Sequence, residues 1–279
     1  MNENLDITII CDNYVDKPVL KAMHGFSCLV EYQGVSIILD TGQGGDFVEN
    51  ITQLGIHKYR IDALVLSHGH YDHTGGLKFL NRNNSYKVFA HKNIFTNHLR
   101  KQSDGYKKIG IQKENIPENV QFELFDEKME IFKNIYISGS IIKRYNITRD
   151  ENLFCEINGS YEKDPFMDEI YVALETKKGL VIFTGCSHAG IENIIEDAEE
   201  KFQRDIYGIV GGLHLFRSEM SEIEGVASYI NGKNIKKIIT GHCTGLEAIG
   251  VFKSILGDKV RFSKVGERFS IFTRDNSNI

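Results

Sequence analysis

The stretch Ser67-His68-Gly69-His70-Tyr71-Asp72-His73-Thr74-Gly75-Gly76 places three imidazoles and a carboxylate within six residues. It follows directly on Ile61–Ser67, a nearly continuous apolar run that reads as a buried central strand. If the backbone stays extended past the strand end, His68 and His70 point to the same side, because strand side chains repeat every second residue. Asp72 and His73 then fall in the turn into a following helix and can face the same point. Gly69, Gly75 and Gly76 remove side chains that would crowd this convergence. Neutral imidazole and carboxylate are ligands that zinc, iron and manganese prefer, and four such groups exceed the needs of one catalytic ion. The expectation is a centre of two divalent ions, zinc first, with manganese or iron as alternatives.

Working outward, Leu5–Cys11, Phe26–Tyr32 and Val35–Asp40 read as strands, the last two joined by a Gln33-Gly34 hairpin turn. Asp46 with Glu49 resembles a capping box that opens a short helix through Phe47, Val48, Ile51 and Leu54. Val88–His91 reads as a further strand. The lysine-rich segment 100–118 reads as a surface excursion, and 143–169 as irregular chain beside a site. Downstream, Ile170–Glu175, Gly179–Thr184, Ile206–Val210, Ile235–Thr240, Val260–Phe262 and Phe269–Phe272 read as strands. Helical spacing marks 191–202. Ser221 with Glu224 and Thr244 with Glu247 resemble capping boxes for two more helices. A strand ending ILDTG (38–42) precedes one ending LSHGHYDH (66–73), and a strand ending IFTGCSH (182–188) precedes one ending VGGLHLF (210–216). This weak likeness suggests two related halves. The alternation predicts an α/β (α+β) chain of two mixed sheets packed face to face with helices outside. No linker divides it, so one domain over 1–279 is the expectation.

Composition excludes several classes. With 41% hydrophobic and 25% charged residues, the chain has material for a sizeable core and is not disordered. A net charge of −5 gives no global pull toward nucleic acid or an anionic membrane, so a small-molecule substrate is the expected partner. No run of eighteen apolar residues suggests a membrane span, and the first residues lack the pattern of a secretory signal. Five cysteines (11, 28, 155, 186, 243) without a CxxC pair read as reduced thiols, which suits a cytoplasmic protein. Nothing in the sequence fixes an oligomeric state.

HGHYDH (68–73) matches the HxHxDH signature of the metallo-β-lactamase superfamily, and Asp40 in LDTG matches its upstream aspartate. The blocks GLVIFTGCSHAGIENII (179–195), VGGLHLF (210–216) and TGHCTGLEA (240–248) resemble one subgroup more narrowly. That subgroup comprises the dihydropterin–ribofuranosyl-aminobenzene phosphate synthase-like metal-dependent hydrolases. The matching blocks run from about residue 25 to 273. The resemblance implies a four-layer αββα sandwich with a metal centre at the edge between the sheets. It implies that His68 and His70 serve one metal, that Asp72 and His73 serve the other, and that His242 completes the second site. Asp40 would orient a ligand histidine.

The chain departs from the family in the middle, where most relatives have a further histidine ligand on an intermediate strand. Only His91 and His98 lie between His73 and Cys186, neither in a matching context. TGC (184–186) stands where relatives have TGD, which would make Cys186 a ligand. Alternatively His188 supplies the missing imidazole, the reading favoured by the GCSHAG block. His214, in GGLHL, is a candidate to contact substrate or move a proton, since imidazole titrates near neutrality. Asp164 and Asp168, in DPFMDE, are candidate substrate contacts. His24, His57, His91 and His98 read as structural or surface residues.

Two ions would bring a bridging water to hydroxide near neutral pH, and Asp72 would orient it or take its proton. The implied activity is hydrolysis or transfer at a phosphorylated or pterin-type small molecule. The subgroup name suggests instead a condensation of a dihydropterin diphosphate with an aminobenzene nucleophile. The non-enzyme alternative is a metal- or ligand-binding module. A two-iron oxidoreductase is disfavoured by the lack of a fused flavin module, and a nuclease by the acidic balance.

Overall fold

The computed structural model describes residues 4–58 and 60–272; the ends of the 1–279 span, including the first three residues read for a leader, lie outside them. Gln33 and Gly34 both have positive φ, 51° and 84°, the conformation a two-residue hairpin demands, and they join Ser27–Tyr32 to Val35–Leu39. Those strands belong to a seven-stranded sheet. Its order is Arg268–Ser270, Leu5–Cys11, Ser27–Tyr32, Val35–Leu39, Ala63–Val65, Tyr86–His91 and Val120–Phe125. A second seven-stranded sheet runs Val260–Phe262, Lys237–Thr240, Ile206–Val210, Gly179–Phe183, Val172–Thr176, Ile135–Ile137 and Met129–Phe132.

The halves follow one plan. In each sheet antiparallel strands lead into a parallel run, which begins at Val35–Leu39 in the first sheet and at Gly179–Phe183 in the second. Beyond the strand ends the backbone bonds also correspond. Asp40 N–H donates to Val65 O and Thr184 N–H to Val210 O, both at 2.8 Å. Leu66 N–H donates to Phe89 O and Gly211 N–H to Ile239 O, both at 2.9 Å. ILDTG and IFTGCSH therefore occupy equivalent turns, as the sequence likeness suggested.

Side-chain alternation along these strands builds three apolar layers. Ile7, Ile9, Val30, Ile37 and Val65 meet Val172, Leu174, Val181, Phe183 and Val210 between the sheets. Ile10, Leu29, Ile38, Leu64 and Val88 face outward under Phe47 of the helix Asp46–Gln53. Leu180, Ile182, Ile209 and Ile238 face outward under Ile191–Phe202, Met220–Gly232 and Leu246–Leu256. Sheets covered on both faces explain why IIL (37–39) and LVIF (180–183) are unbroken apolar runs. The result is the αββα sandwich.

Three local expectations need correction. The segments 100–118 and 143–169 are not merely irregular: His98–Gln102 and Gly105–Lys108 join Leu153–Ile157 and Ser160–Lys163 in a third, four-stranded sheet. None of the three capping boxes caps its helix. Gly45, Glu219 and Gly245 occupy the N-cap positions with no side-chain bond. Asp46 instead reaches Lys21 at 3.3 Å, Ser221 lies inside its helix, and Thr244 Oγ1 bonds Thr240 Oγ1 at 2.6 Å, since such short side chains take other partners where they are offered. Three short strands within 120–137 were not anticipated at all. Among the described residues, no helix is long and apolar enough to cross a membrane.

Candidate metal centre

The backbone leaves Ala63–Val65 extended as far as His70 (φ −66°, ψ 145°) and then turns into the short helix Tyr71–Thr74. His68 and His70 accordingly fall on one side, their ring centroids 4.7 Å apart. The three glycines are required by close approach. A Cβ at Gly69 would lie 2.4 Å from Ile94 O, one at Gly75 2.2 Å from Gln43 O, and one at Gly76 2.1 Å from Thr41 O. From the other half, His188 leaves the Gly179–Phe183 strand end and brings its ring 4.9 Å from His68 and 4.7 Å from His70. One nitrogen of each of these three rings lies within 4.8 Å of the others. Their Nε2 atoms are buried and have no hydrogen-bond partner.

A second group adjoins the first. His73 Nε2 lies 3.3 Å from His242 Nε2 and 3.1 Å from Cys186 Sγ. Asp72 Oδ2 lies 3.5 Å from His242 Nε2 and 3.8 Å from His73 Nε2. Cys186 also groups with His68 and His73, so its thiol stands between the two sets. Both sequence alternatives, His188 and Cys186, are therefore at the site, in different positions.

The surrounding hydrogen bonds set the tautomers. Asp40 is buried and accepts Ser67 N–H and Ser67 Oγ–H at 2.7 Å each, and His73 Nδ1–H at 2.7 Å. With its proton committed to Asp40, Ser67 Oγ accepts His68 Nδ1–H at 2.8 Å. His242 Nδ1–H donates to Asn13 Oδ1 at 2.9 Å, and His242 N–H to Asp12 Oδ1 at 3.0 Å. In each case Nε2 is the nitrogen left facing the site, the arrangement in which ligand imidazoles are held. Burial, reinforced by neighbouring rings, drives the His68 and His188 pKa values well below the usual imidazole range. Burial likewise takes His70 to about 3 and His242 to about 4. These rings are neutral at physiological pH with lone pairs available. For His73, burial is outweighed by Asp40 and Asp72, which push it up to about 9. A cation at Nε2 would replace that proton. The donor set thus fits divalent metal.

Some predicted residues are elsewhere than expected. Asp164 and Asp168 turn onto His98: Asp164 Oδ2 accepts Nδ1–H at 2.5 Å and Asp168 Oδ2 accepts Nε2–H at 3.0 Å. Burial opposes the charged ring, but the two carboxylates raise His98 to about 10. Asp168 Oδ2 also accepts Gly69 N–H at 2.7 Å, tying this ion cluster to the HGHYDH segment. His98 therefore has site neighbours that its sequence context concealed, with His70 4.9 Å away ring to ring. His24 is a second such case, its Nε2 3.2 Å from Asp72 Oδ2. His91, by contrast, bonds Ser140 Oγ at 2.9 Å, and His57 is exposed. Glu169 was not anticipated. Its carboxylate accepts His188 N–H and Ala189 N–H, both at 2.6 Å, and Phe166 stacks flat on the His188 ring at 4.2 Å. His214, with φ +50°, brings its ring 4.3 Å from His188. Asp12 and Asn13 follow a buried strand, as Asp40 does, and that shared position is the signal that could have found them.

Comparison with known proteins agrees with this geometry. The metallo-β-lactamase superfamily profile matches residues 21–140. An uncharacterised protein of Methanocaldococcus jannaschii is 34% identical, covering 87% of this chain and 92% of that protein. From the same organism, 7,8-dihydropterin-6-methyl-4-(β-D-ribofuranosyl)-aminobenzene-5′-phosphate synthase is 29% identical, covering 90% of this chain and 91% of that one. A crystal structure of a metal-dependent hydrolase of the β-lactamase superfamily superposes with a TM-score of 0.85 at 32% identity, covering 95% of this chain and 98% of the other. By fold and by sequence, the chain belongs to the metallo-β-lactamase superfamily.

Proposed function

We propose that the chain is a metal-dependent hydrolase or transferase with a two-ion centre, zinc first, acting on a phosphorylated or pterin-type small molecule. The observation that carries this reading is the convergence of the partnerless Nε2 atoms of His68, His70 and His188. A buried polar atom without a partner costs about 1–3 kcal/mol, and three side by side make sense around a shared cation. In this reading His68, His70 and His188 hold one ion, Asp72, His73 and His242 hold the other, and Cys186 is in reach of both. Bound there, divalent ions supply Lewis acidity and make water acidic enough to ionise near neutral pH.

The chain's own groups do the rest. Asp40 and Ser67 lock the His73 and His68 rings, and Asn13 and Asp12 lock His242. Asp72 orients the attacking group or takes its proton at Oδ2. His214, whose ring nitrogens are both unpartnered, returns a proton to the leaving group. The whole chain acts as one domain, with the site on the seam between its halves. A second reading, condensation with loss of diphosphate, is favoured by the synthase named above as a relative. Both reactions use departure of an anionic group.

Metal analysis of protein purified without added metal tests the centre. Assays with zinc, manganese and iron on phosphomonoesters, phosphodiesters, lactones, thioesters and a dihydropterin diphosphate with an aminobenzene nucleophile test the reaction. No bound transition metal, together with no activity gained on adding one, would sink both readings.

A further inference from the structure

We propose that Arg149 and His214 form a seat for a phosphoryl group of the substrate, in a small cavity beside His188. This rests on the functional reading above and gives its substrate a chemical handle. The cavity is about 60 Å³ and is lined by Thr148, Arg149, Phe166, His188 and His214 among others. That is several times the ~10–15 Å³ that one water needs by the same measure, room for a small group such as a phosphoryl.

Besides His188, two nitrogen-bearing side chains at this cavity have buried nitrogens without a hydrogen bond. The Arg149 side chain is only 3% exposed. Its Nη2 donates to both oxygens of Glu192, at 2.7 and 2.8 Å, and its Nε donates to Glu222 at 3.2 Å, which fixes the guanidinium plane. Nη1 is buried with no partner. A guanidinium has five N–H donors, so two remain for a ligand. His214 is 8% exposed; neither ring nitrogen makes a hydrogen bond, though one of them lies within 4.8 Å of the Cys186 and Cys243 thiols. Its left-handed backbone is a strained conformation for a residue with a side chain, of the kind held where the surroundings require it.

Charge selects the occupant. Two carboxylates line the same cavity: Asp150 Oδ2, which makes no hydrogen bond, lies 3.1 Å from Arg100 and 3.5 Å from Arg217, and Asp164 is held by His98. Both are offset by these cations, and the Arg149 ion pairs go to Glu192 and Glu222 instead. Lys143, exposed, also lines the cavity. A preorganised guanidinium edge with a neighbouring imidazole donor suits the several acceptor oxygens of a phosphoryl group. The cavity reaches His188, so a group seated there abuts the candidate ion ligands.

Titration of the purified full-length protein with inorganic phosphate, followed by calorimetry, tests the seat. Arg149→Lys keeps the positive charge but not the second arm and should weaken phosphate binding about tenfold, near 1.4 kcal/mol, with metal content unchanged. Because loss of the Glu222 contact could also disturb folding, Thr148→Phe provides a second variant. It fills the same cavity from an exposed position, leaves the Arg149 ion pairs intact, and should weaken binding similarly. Undetectable phosphate binding at millimolar concentration, unchanged binding in either folded variant, or equal binding of acetate would overturn the proposal. Failure of the metal reading looks different: the wild-type protein would carry no metal, while the phosphate comparison between wild type and variants stays readable.

Discussion

The two donor groups of the candidate metal centre are built on different principles. His68, His70 and His188 include no carboxylate, and burial keeps their rings neutral. Backbone direction, glycine clearance, ring packing and the neutral Ser67 acceptor behind His68 hold them together. Asp72, His73 and His242 include a charge of their own and contact one another, and each histidine is anchored from behind by Asp40 or by Asn13. The first group has no internal substitute for a cation, whereas the second has the His73 proton. The comparison teaches that equal ligand counts need not mean equal dependence on metal.

The strongest way to break this contrast is to remove a ring from the first group. His70→Ala should abolish activity, and His188→Ala should lower bound metal by one ion per chain, read by emission spectrometry. If His188→Ala leaves stoichiometry untouched while Cys186→Ser lowers it, the thiol holds that ion. Next in size, Asp40→Asn removes the anionic acceptor of His73 and should cost about 10- to 100-fold in metal affinity or activity. Asn13→Ala removes only a neutral acceptor from His242 and should fall at the low end of that range, about tenfold, measured by competition with a chelator. Smallest in effect, free zinc at a hundred times its dissociation constant should stabilise the fold by about 2.7 kcal/mol, read as a shift in melting temperature that chelation reverses.

Much of this contrast was legible before the structure because its parts are local. HGHYDH is contiguous, and His188, His214 and His242 each follow a strand end recognisable from its apolar run. The two-sheet sandwich was legible for the same reason. What escaped reading depends on distant chain meeting chain. Nothing near Asp12-Asn13 announces His242, and nothing near His98 announces Gly69. The third sheet escaped for another reason: Gly105–Lys108 and Ser160–Lys163 are exposed throughout, so burial imposed no alternating pattern on them. The helix starts misled because Gly45 and Gly245 take the N-cap positions, while Asp46 and Thr244 bond Lys21 and Thr240.

The bond between His242 and Asp12 spans 230 positions, and the contact between His73 and His242 spans 169. Segments so far apart meet late in folding, since the chain must close large loops before such contacts can form. The HGHYDH donors are contiguous, but the full set of donors, with His188 and His242, assembles only once both sheets have docked. Metal bound to them cannot act as a nucleus. It acts as a brake on the reverse reaction, so zinc should lengthen the unfolding time in stopped-flow experiments and leave the refolding rate unchanged.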